Sequence, residues 1–445
     1  MVAPERFSIG ESNLNLHAQD MSPHPPACPE AVLWPISKKE VVAVMKYVHA
    51  HAIPVTAWGA GSSLEGNPIP VLGGIVLDFA QMNRILKIHD EAFQVDVQPG
   101  VIYKEMNHKL RHRGLFFPPD PGAAATIGGM IANNASGTRT VRYGATKDHV
   151  LRLSVVLADG ELIEMGTRAS KTSSGYDLVH LFVGSEGTLG IVVEATLRLV
   201  GYPEEQSAAI VTFPSVAVAG KAVFEIMRAG LQPAALELLS PECIDLLNRT
   251  KELGLPEGPT LFTEFHGPSQ KQLAEVMEIV ESICNEVGAL AFKSGLGRKE
   301  TGRIFSARHQ LGEIIRSTHG KSDVNSLDMA VPINAYPEMI AYARAETSDS
   351  GLPTYIFSHA GDGNLHIVIA TKNKDEKQKK RLETITSKTV SKALELGGTA
   401  TGEHGVGIGK RRFMQAEHGN SFGWMKRIKT IFDPKGILNP GKIFE

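Results

Sequence analysis

Thr354-Tyr-Ile-Phe-Ser-His-Ala-Gly-Asp-Gly-Asn-Leu-His-Ile-Val-Ile-Ala370 is the stretch on which the fold turns. Two apolar, β-branched-rich runs flank Ala360-Gly-Asp-Gly-Asn364, whose residues accept the positive φ of tight turns, so a β-hairpin is expected. His359 closes the first strand and His366 stands near the start of the second, so the turn should bring the imidazoles face to face. Cross-strand partners have Cβ atoms about 4.5–5.5 Å apart. That spacing suits two ligands of one metal ion, and equally two half-buried histidines at a hairpin mouth.

A second segment bears on that choice. Gly397-Gly-Thr-Ala-Thr-Gly-Glu-His-Gly-Val-Gly-Ile-Gly409 follows a helical stretch, Ser387 to Leu396, that Gly397 and Gly398 would terminate. Glu403 and His404 are adjacent in this glycine-dense loop, where side chains are few and a ligand can approach the backbone closely. His359, His366 and Glu403 make a two-histidine, one-carboxylate set, a type that leaves open positions on Zn²⁺, Mn²⁺ or Fe²⁺. His404 then remains beside the metal as a titratable base. A plain glycine-rich linker is the blander alternative.

Composition bounds the rest. A chain of 445 residues suggests roughly three domains, or two with insertions. Hydrophobic residues at 42% and charged residues at 21% describe an ordinary soluble protein with ample core. A formal charge of -2 gives no general attraction to nucleic acid or to an anionic membrane. Cys28, Cys243 and Cys284 are scattered and odd in number, so neither a disulfide framework nor a paired-cysteine metal site is expected. No run approaches the ~18 apolar residues of a membrane span, and the N-terminus lacks the apolar core of a signal peptide.

From the N-terminus, residues 1–30 are polar, and Pro23, Pro25, Pro26 and Pro29 argue against a helix there. A strand (Ala31–Trp34), a helix from a Ser37 cap to His51 and a strand (Pro54–Trp58) come next, with Ser37 and Glu40 spaced as a capping box. The third element runs into Trp58-Gly-Ala-Gly-Ser-Ser-Leu-Glu-Gly-Asn-Pro68, a strand and Gly/Ser turn of the kind that presents backbone N–H groups to phosphate. A dinucleotide fingerprint must open into a helix, which Gly66 and Pro68 block, and no Gly-Lys-Ser of a P-loop is present. Two more loops rich in small residues, Pro118 to Thr138 and Leu181 to Gly190, point to a large cofactor rather than to a single phosphate.

Taken together, these motifs resemble a known family. Gly59-Ala-Gly-Ser-Ser, Asp120-Pro-Gly, Thr126-Ile-Gly-Gly129, Ala135-Ser-Gly137, Arg142-Tyr-Gly144 and Gly184-Ser-Glu-Gly-Thr-Leu-Gly190 look like the flavin domain of the vanillyl-alcohol-oxidase type. His359 to His366, Gly402-Glu-His-Gly405 and Leu438-Asn-Pro-Gly-Lys442 look like its FAD-dependent D-lactate and D-2-hydroxyacid dehydrogenase branch, glycolate oxidase subunits included. The resemblance implies an α+β fold: a two-part FAD-binding domain over 1–205 and an α/β cap on an antiparallel sheet over 206–415, carrying substrate and metal. Residues 416–445 would return to the flavin. Non-covalent FAD is implied against Gly59, Gly61, Ser62, Ser63, Pro119, Gly122, Thr126, Gly128, Gly129, Ser136, Gly137, Glu186, Gly187, Gly190, Ile191 and Asn439, since the Gly59–Ser63 loop has no histidine to link it. A divalent metal is implied on His359, His366 and Glu403, Zn²⁺ first, then Mn²⁺ or Fe²⁺.

The chemistry implied is oxidation of a small D-2-hydroxy acid, D-lactate to pyruvate first. His404 would take the hydroxyl proton and Arg308 would grip the carboxylate through its guanidinium fork; an exposed helical arginine is the plainer reading of Arg308. Alternatives are a glycolate oxidase FAD subunit, a D-2-hydroxyglutarate dehydrogenase, an electron-relaying flavoprotein and a flavin-free metal module. Gly312, Ser326 and Val368 stand where the glutarate enzymes carry polar residues for a second carboxylate, which favours a small apolar substrate side chain. The expected partners are that substrate and an acceptor (quinone, cytochrome or electron-transfer flavoprotein), without nucleic acid, and a homodimer is admitted. The expected location is cytoplasmic, peripheral on the inner face of a membrane, or the mitochondrial matrix of a eukaryote.

Overall fold

The computed structural model describes residues 1–295, 298–320, 323–372 and 375–444. The chain forms two compact units: residues 1–136, 144–202 and 403–445 make the first, and 137–143 with 203–402 make the second.

In the first unit, Ala31–Leu33, Ile75–Asp78 and Val55–Trp58 pair in parallel, with the short Phe7–Ser8 at one edge. Parallel strands of one sheet need a crossover, and the helix Lys38–His51 supplies it between Ala31–Leu33 and Val55–Trp58, which flank Ile75–Asp78. Val41, Val44, Met45 and Val48 recur at helical spacing, and that face is buried. The Ser37 side chain accepts from the Glu40 amide, but the other half of the expected capping box is not made. The Glu40 carboxylate instead accepts from Arg6 and the Ile36 amide. The unit also holds a five-stranded antiparallel sheet in the order Ile85–His89, Gln94–Val97, Ile191–Arg198, Val150–Val156, Leu162–Gly166.

The second unit is built on seven antiparallel strands. Their order is Ala291–Lys293, Glu205–Thr212, Thr260–Gly267, Ala235–Leu239, Thr354–His359, Asn364–Thr371, Asp323–Ala330. Both faces are covered, so successive residues of the central strands are buried whichever way they point, polar ones among them. Helices Val216–Arg228, Gln270–Glu286, Tyr336–Ser348 and Glu376–Glu395 pack on one side. Pro241–Lys251, Arg298–His309 and Leu311–His319 pack on the other.

Four local expectations are corrected. A short helix, Glu11–Leu16, lies ahead of the prolines in the N-terminal region, where their fixed φ and missing N–H place no restriction on it. Within the second small-residue loop, Ile127–Asn133 is helical, because Thr126 caps it by accepting from the Gly129 amide. The helix before the glycine loop begins at Glu376, not Ser387, with Asp375 as its cap. Its end is as expected: Gly397 takes φ +79°, Gly398 N–H bonds Ala393 C=O and Gly397 N–H bonds Leu394 C=O, a Schellman motif. Finally, His359 pairs across the hairpin with Asn364, and His366 with Phe357. The two histidines are therefore diagonal neighbours, their rings 5.2 Å apart between centroids and perpendicular rather than face to face.

Candidate active site

The residues expected against a flavin, Gly137 excepted, lie within the first unit. A Cβ on Gly59 would come well inside van der Waals contact of the Thr126 hydroxyl oxygen, so the first small-residue loop lies directly against the cap of Ile127–Asn133. A Cβ on Gly128 would come within 2.7 Å of Pro99. At the other end of that helix, Gly184 N–H bonds Ile131 C=O and Glu186 N–H bonds Ala132 C=O at 2.8 Å, which draws in the third loop. Gly187 continues this loop with φ +69°, and Gly190 abuts Val155 where the strand Ile191–Arg198 begins. Ser62 and Ser63 come directly after Gly61 (φ +63°), and the Ser63 hydroxyl bonds the Asn67 side chain. Pro119 and Gly122 lie in the segment after Phe117, where Lys104 Nζ bonds the Gly122 carbonyl at 2.9 Å.

The chain end is tied to the same place. Leu438 bridges Val55 in parallel, and Asn439 Nδ2 donates to the carbonyls of Asn67 and Glu186 at 3.0 and 2.7 Å. The buried Lys442 donates from Nζ to the Ile69 carbonyl at 2.5 Å. Glu186 accepts the amides of Val406 and Gly407 at 2.6 and 2.9 Å. Burial pushes the Glu186 carboxyl up to about 7, against those amide bonds and the charge of Lys442. Burial likewise brings Lys442 down to about 8, against the charge of Glu186. Glu403 and His404 belong to this unit: Ser136 Oγ donates to Glu403 Oε2 at 3.1 Å, and Asn133 Nδ2 reaches the His404 carbonyl at 3.4 Å. Gly137, next to Ser136, groups with the second unit.

In the second unit, strand periodicity puts Glu237, His359, Phe357, His366, Val368, Asp328 and Ser326 on one face of the sheet. The ligand-capable atoms of His359 and His366 lie within 4.8 Å of each other. His359 Nδ1 is 2.7 Å from Glu237 Oε1, and His366 Nδ1 is 3.6 Å from Asp328 Oδ1. Glu237 and Asp328 are fully buried. Asp328 also accepts from Asn364 Nδ2 at 2.7 Å and Thr401 Oγ1 at 2.9 Å. Burial alone would raise the Glu237 carboxyl, but the neighbouring His359 and Arg308 outweigh it and hold the group below the ordinary range.

Arg308, on Arg298–His309, is 5% exposed, which removes the reading of it as an outward-facing helical arginine. Its guanidinium lies 4.6 Å from the Phe357 ring centroid, and Nη2 is 2.7 Å from Glu237 Oε2. That ion pair is close but not aligned as a hydrogen bond. Arg308 Nε and Nη2 are buried without a hydrogen-bond partner among the described residues. Val368 pairs with both Ser326 and Tyr355, in the apolar cluster that includes Phe305, Leu311 and Phe357.

Glu237 and Asp328 are the residues that sequence reasoning passed over. A signal existed for Glu237: a lone acid in Ala234-Ala-Leu-Glu-Leu-Leu239, where a buried carboxylate needs a partner. Lys442 stands in the motif at 438–442, which by itself assigns it no role.

Comparison with known proteins fits this arrangement. Residues 29–166 match the model of an FAD binding domain, and 202–443 match that of FAD linked oxidases, C-terminal domain. A probable mitochondrial D-lactate dehydrogenase of Danio rerio is 38% identical over 99% of this chain and 89% of its own. The mitochondrial D-lactate dehydrogenase [cytochrome] of Kluyveromyces lactis is 37% identical over 99% of this chain and 79% of its own. The glycolate oxidase subunit GlcD of Bacillus subtilis is 36% identical over 99% and 94%. Among solved structures, 4-ethylphenol oxidase from Gulosibacter chungangensis superposes with TM-score 0.78 at 18% identity, covering 99% of this chain and 94% of that one. p-Cresol methylhydroxylase does so with TM-score 0.77 at 17% identity and the same coverage. The solved structures give the α+β fold, and the domain models with the curated relatives define an FAD-dependent oxidoreductase. More particularly, the chain belongs to the FAD-linked oxidases. Among the described residues, no helix is long and apolar enough to cross a membrane.

Proposed function

We propose that this protein oxidises a small D-2-hydroxy acid, D-lactate to pyruvate first, and passes the electrons to an acceptor outside the chain. The observation that carries this reading is Arg308. At its buried guanidinium edge, Nε has no hydrogen-bond partner among the described residues and Nη2 meets only the unaligned Glu237 carboxylate, an arrangement that is costly unless a ligand satisfies it. That edge matches a carboxylate in a bidentate pair.

The residues present fit both groups that the chemistry calls for. Close approaches at Gly59 and Gly128 leave backbone rather than side chain along the first unit's loops, as a flat cofactor requires. His359 and His366, each with Nδ1 facing a buried carboxylate, have the donor chemistry of a divalent site, and Glu403 is proposed to complete the set. When bound, FAD would supply the acceptor for a hydride from the substrate α-carbon, and a divalent ion, Zn²⁺ in preference to Mn²⁺ or Fe²⁺, would supply the Lewis acidity that lowers the pKa of the hydroxyl. Arg308 fixes the carboxylate and so orients the α-carbon. His404 takes the hydroxyl proton on an imidazole nitrogen. Proton and hydride together account for the two hydrogens lost from the substrate.

Relatives named D-lactate dehydrogenase support the substrate, and the cytochrome in the yeast relative's name supports a cytochrome as acceptor, with quinone or electron-transfer flavoprotein as alternatives. Glycolate is the second reading, favoured by the Bacillus subtilis relative. D-2-hydroxyglutarate is disfavoured, because Val368 and Ser326 offer no cation to a second carboxylate, and an unpaired buried charge costs several kcal/mol, roughly. Steady-state turnover of D-lactate, L-lactate, glycolate and D-2-hydroxyglutarate with a dye acceptor tests the proposal. D-Lactate should give the highest kcat/KM, and a preference for L-lactate or the glutarate contradicts it.

A further inference from the structure

We infer that Glu237 is a positioning residue serving two partners at once: it fixes the ring nitrogen that His359 offers to a metal, and it draws the Arg308 guanidinium in by charge without taking an aligned hydrogen bond from the edge offered to substrate. This rests on the proposed function above and adds to it a residue for which neither motif nor resemblance gave a role.

Glu237 stands at the centre of Ala235–Leu239, directly opposite His359 in the sheet, with its side chain fully buried. Its two carboxylate oxygens are divided between two neighbours. Oε1 lies 2.7 Å from His359 Nδ1, and Oε2 lies 2.7 Å from Arg308 Nη2. An ionised carboxylate only accepts, so Nδ1 of His359 must carry the proton, and Nε2 is left with the lone pair a metal needs. A wrong tautomer or a rotated ring would turn an N–H toward the metal instead.

The second contact differs in kind. Oε2 attracts Arg308 by charge, yet neither Oε2 nor Nη2 makes an aligned hydrogen bond. The guanidinium is held between that carboxylate and the face of Phe357, 4.6 Å from the ring centroid, with Nη2 in the ion pair and Nε without a hydrogen-bond partner among the described residues, so that neither nitrogen donates an aligned hydrogen bond. These two nitrogens form the side of the fork that grips a carboxylate with two parallel bonds. One buried carboxylate therefore sets the geometry of a metal ligand and of a substrate anchor together.

Glutamine is the informative replacement. It has nearly the same shape, but both neighbours of position 237 present hydrogens, and an amide has one accepting and one donating end. One contact must therefore become a clash of donors. For Glu237→Gln we expect FAD content and secondary structure as in the wild type, apparent affinity for added Zn²⁺ weakened about 10- to 100-fold in a chelator competition, and a raised KM for D-lactate. Glu237→Asp keeps the charge and should recover part of the Zn²⁺ affinity. Wild-type Zn²⁺ affinity with a raised KM, or the reverse, in a folded Glu237→Gln protein overturns the double role. If the variant does not fold, ¹⁵N-histidine NMR of the Zn²⁺-loaded wild type decides: a protonated Nδ1 on His359, assigned by its loss in His359→Gln, is expected, and a metal-bound Nδ1 overturns the inference. Failure of the underlying reading would look different, since the wild type itself would then neither bind Zn²⁺ nor turn over D-lactate.

Discussion

Gly59 lies so close to Thr126 that a Cβ at position 59 would come well inside van der Waals contact of the Thr126 hydroxyl oxygen. The same hydroxyl caps Ile127–Asn133 by accepting the Gly129 amide at 3.3 Å. Gly59→Ala must therefore move either the loop or the cap. Loss of such a cap costs about 1 kcal/mol, and the loops would no longer present a flat backbone surface. The expected outcome is a folded protein with FAD occupancy well below one per chain, read from the ratio of flavin to protein absorbance. Full occupancy would show that this loop does not touch the cofactor.

Arg308→Lys keeps the charge and removes the fork. Charge-assisted hydrogen bonds contribute about 1.5–3 kcal/mol each, so KM for D-lactate should rise about 10- to 100-fold while FAD content is unchanged. An unchanged KM would assign Arg308 to packing against Phe357 alone.

His366→Ala should lose the bound divalent ion and most turnover while keeping FAD, because the histidine and the flavin loops lie in different units. The same is expected of His359→Ala and of wild type stripped by a chelator; Glu403→Ala should also lose the ion, and because Glu403 lies in the first unit and accepts from Ser136, its FAD content is measured alongside. Elemental analysis beside a turnover assay checks this, and full activity in a metal-free variant would make the hairpin histidines structural.

Stability should fall as pH rises from about 5 to 7.5 on account of Glu186. Its folded value, about 7, lies above the ordinary 4.5, so its contribution is fully present below 4.5 and is lost as pH passes through 7. The full loss is on the order of 3 kcal/mol. Lys442 runs the other way: lowered to about 8, its contribution is present above its ordinary 10.5 and lost as pH falls through 8. Glu186→Gln should flatten thermal melts between pH 5.5 and 7.5, and an unchanged slope would place the titration elsewhere.

Much of this arrangement was legible in the sequence because it is local. Val216–Arg228 carries its boundaries in a Ser215 cap and an apolar stripe. The hairpin histidines announced themselves through a turn between two β-branched runs. What stayed hidden depends on partners far along the chain. Glu237 meets His359 across 122 positions, so nothing beside it in the sequence says what it serves. The diagonal placement of His359 and His366 is set by how many residues the turn consumes: a 3₁₀ turn over Ala360–Asp362 leaves Asn364, not His366, opposite His359. Helix Glu376–Glu395 opens on a charged turn whose apolar periodicity is weak, so only its C-terminal half was readable. Ile127–Asn133 hid behind its glycines, Gly128 and Gly129, which lower helix propensity and read as loop.

The central claim, that the flavin in this chain takes a hydride from a small D-2-hydroxy acid, is tested most directly by mixing the purified FAD-loaded protein anaerobically with D-lactate and monitoring flavin absorbance. D-Lactate should bleach the flavin in full, L-lactate should not, and Arg308→Lys should need far more substrate for the same rate. A flavin that stays oxidised with D-lactate, or a folded chain that takes up no FAD at all, would contradict the account.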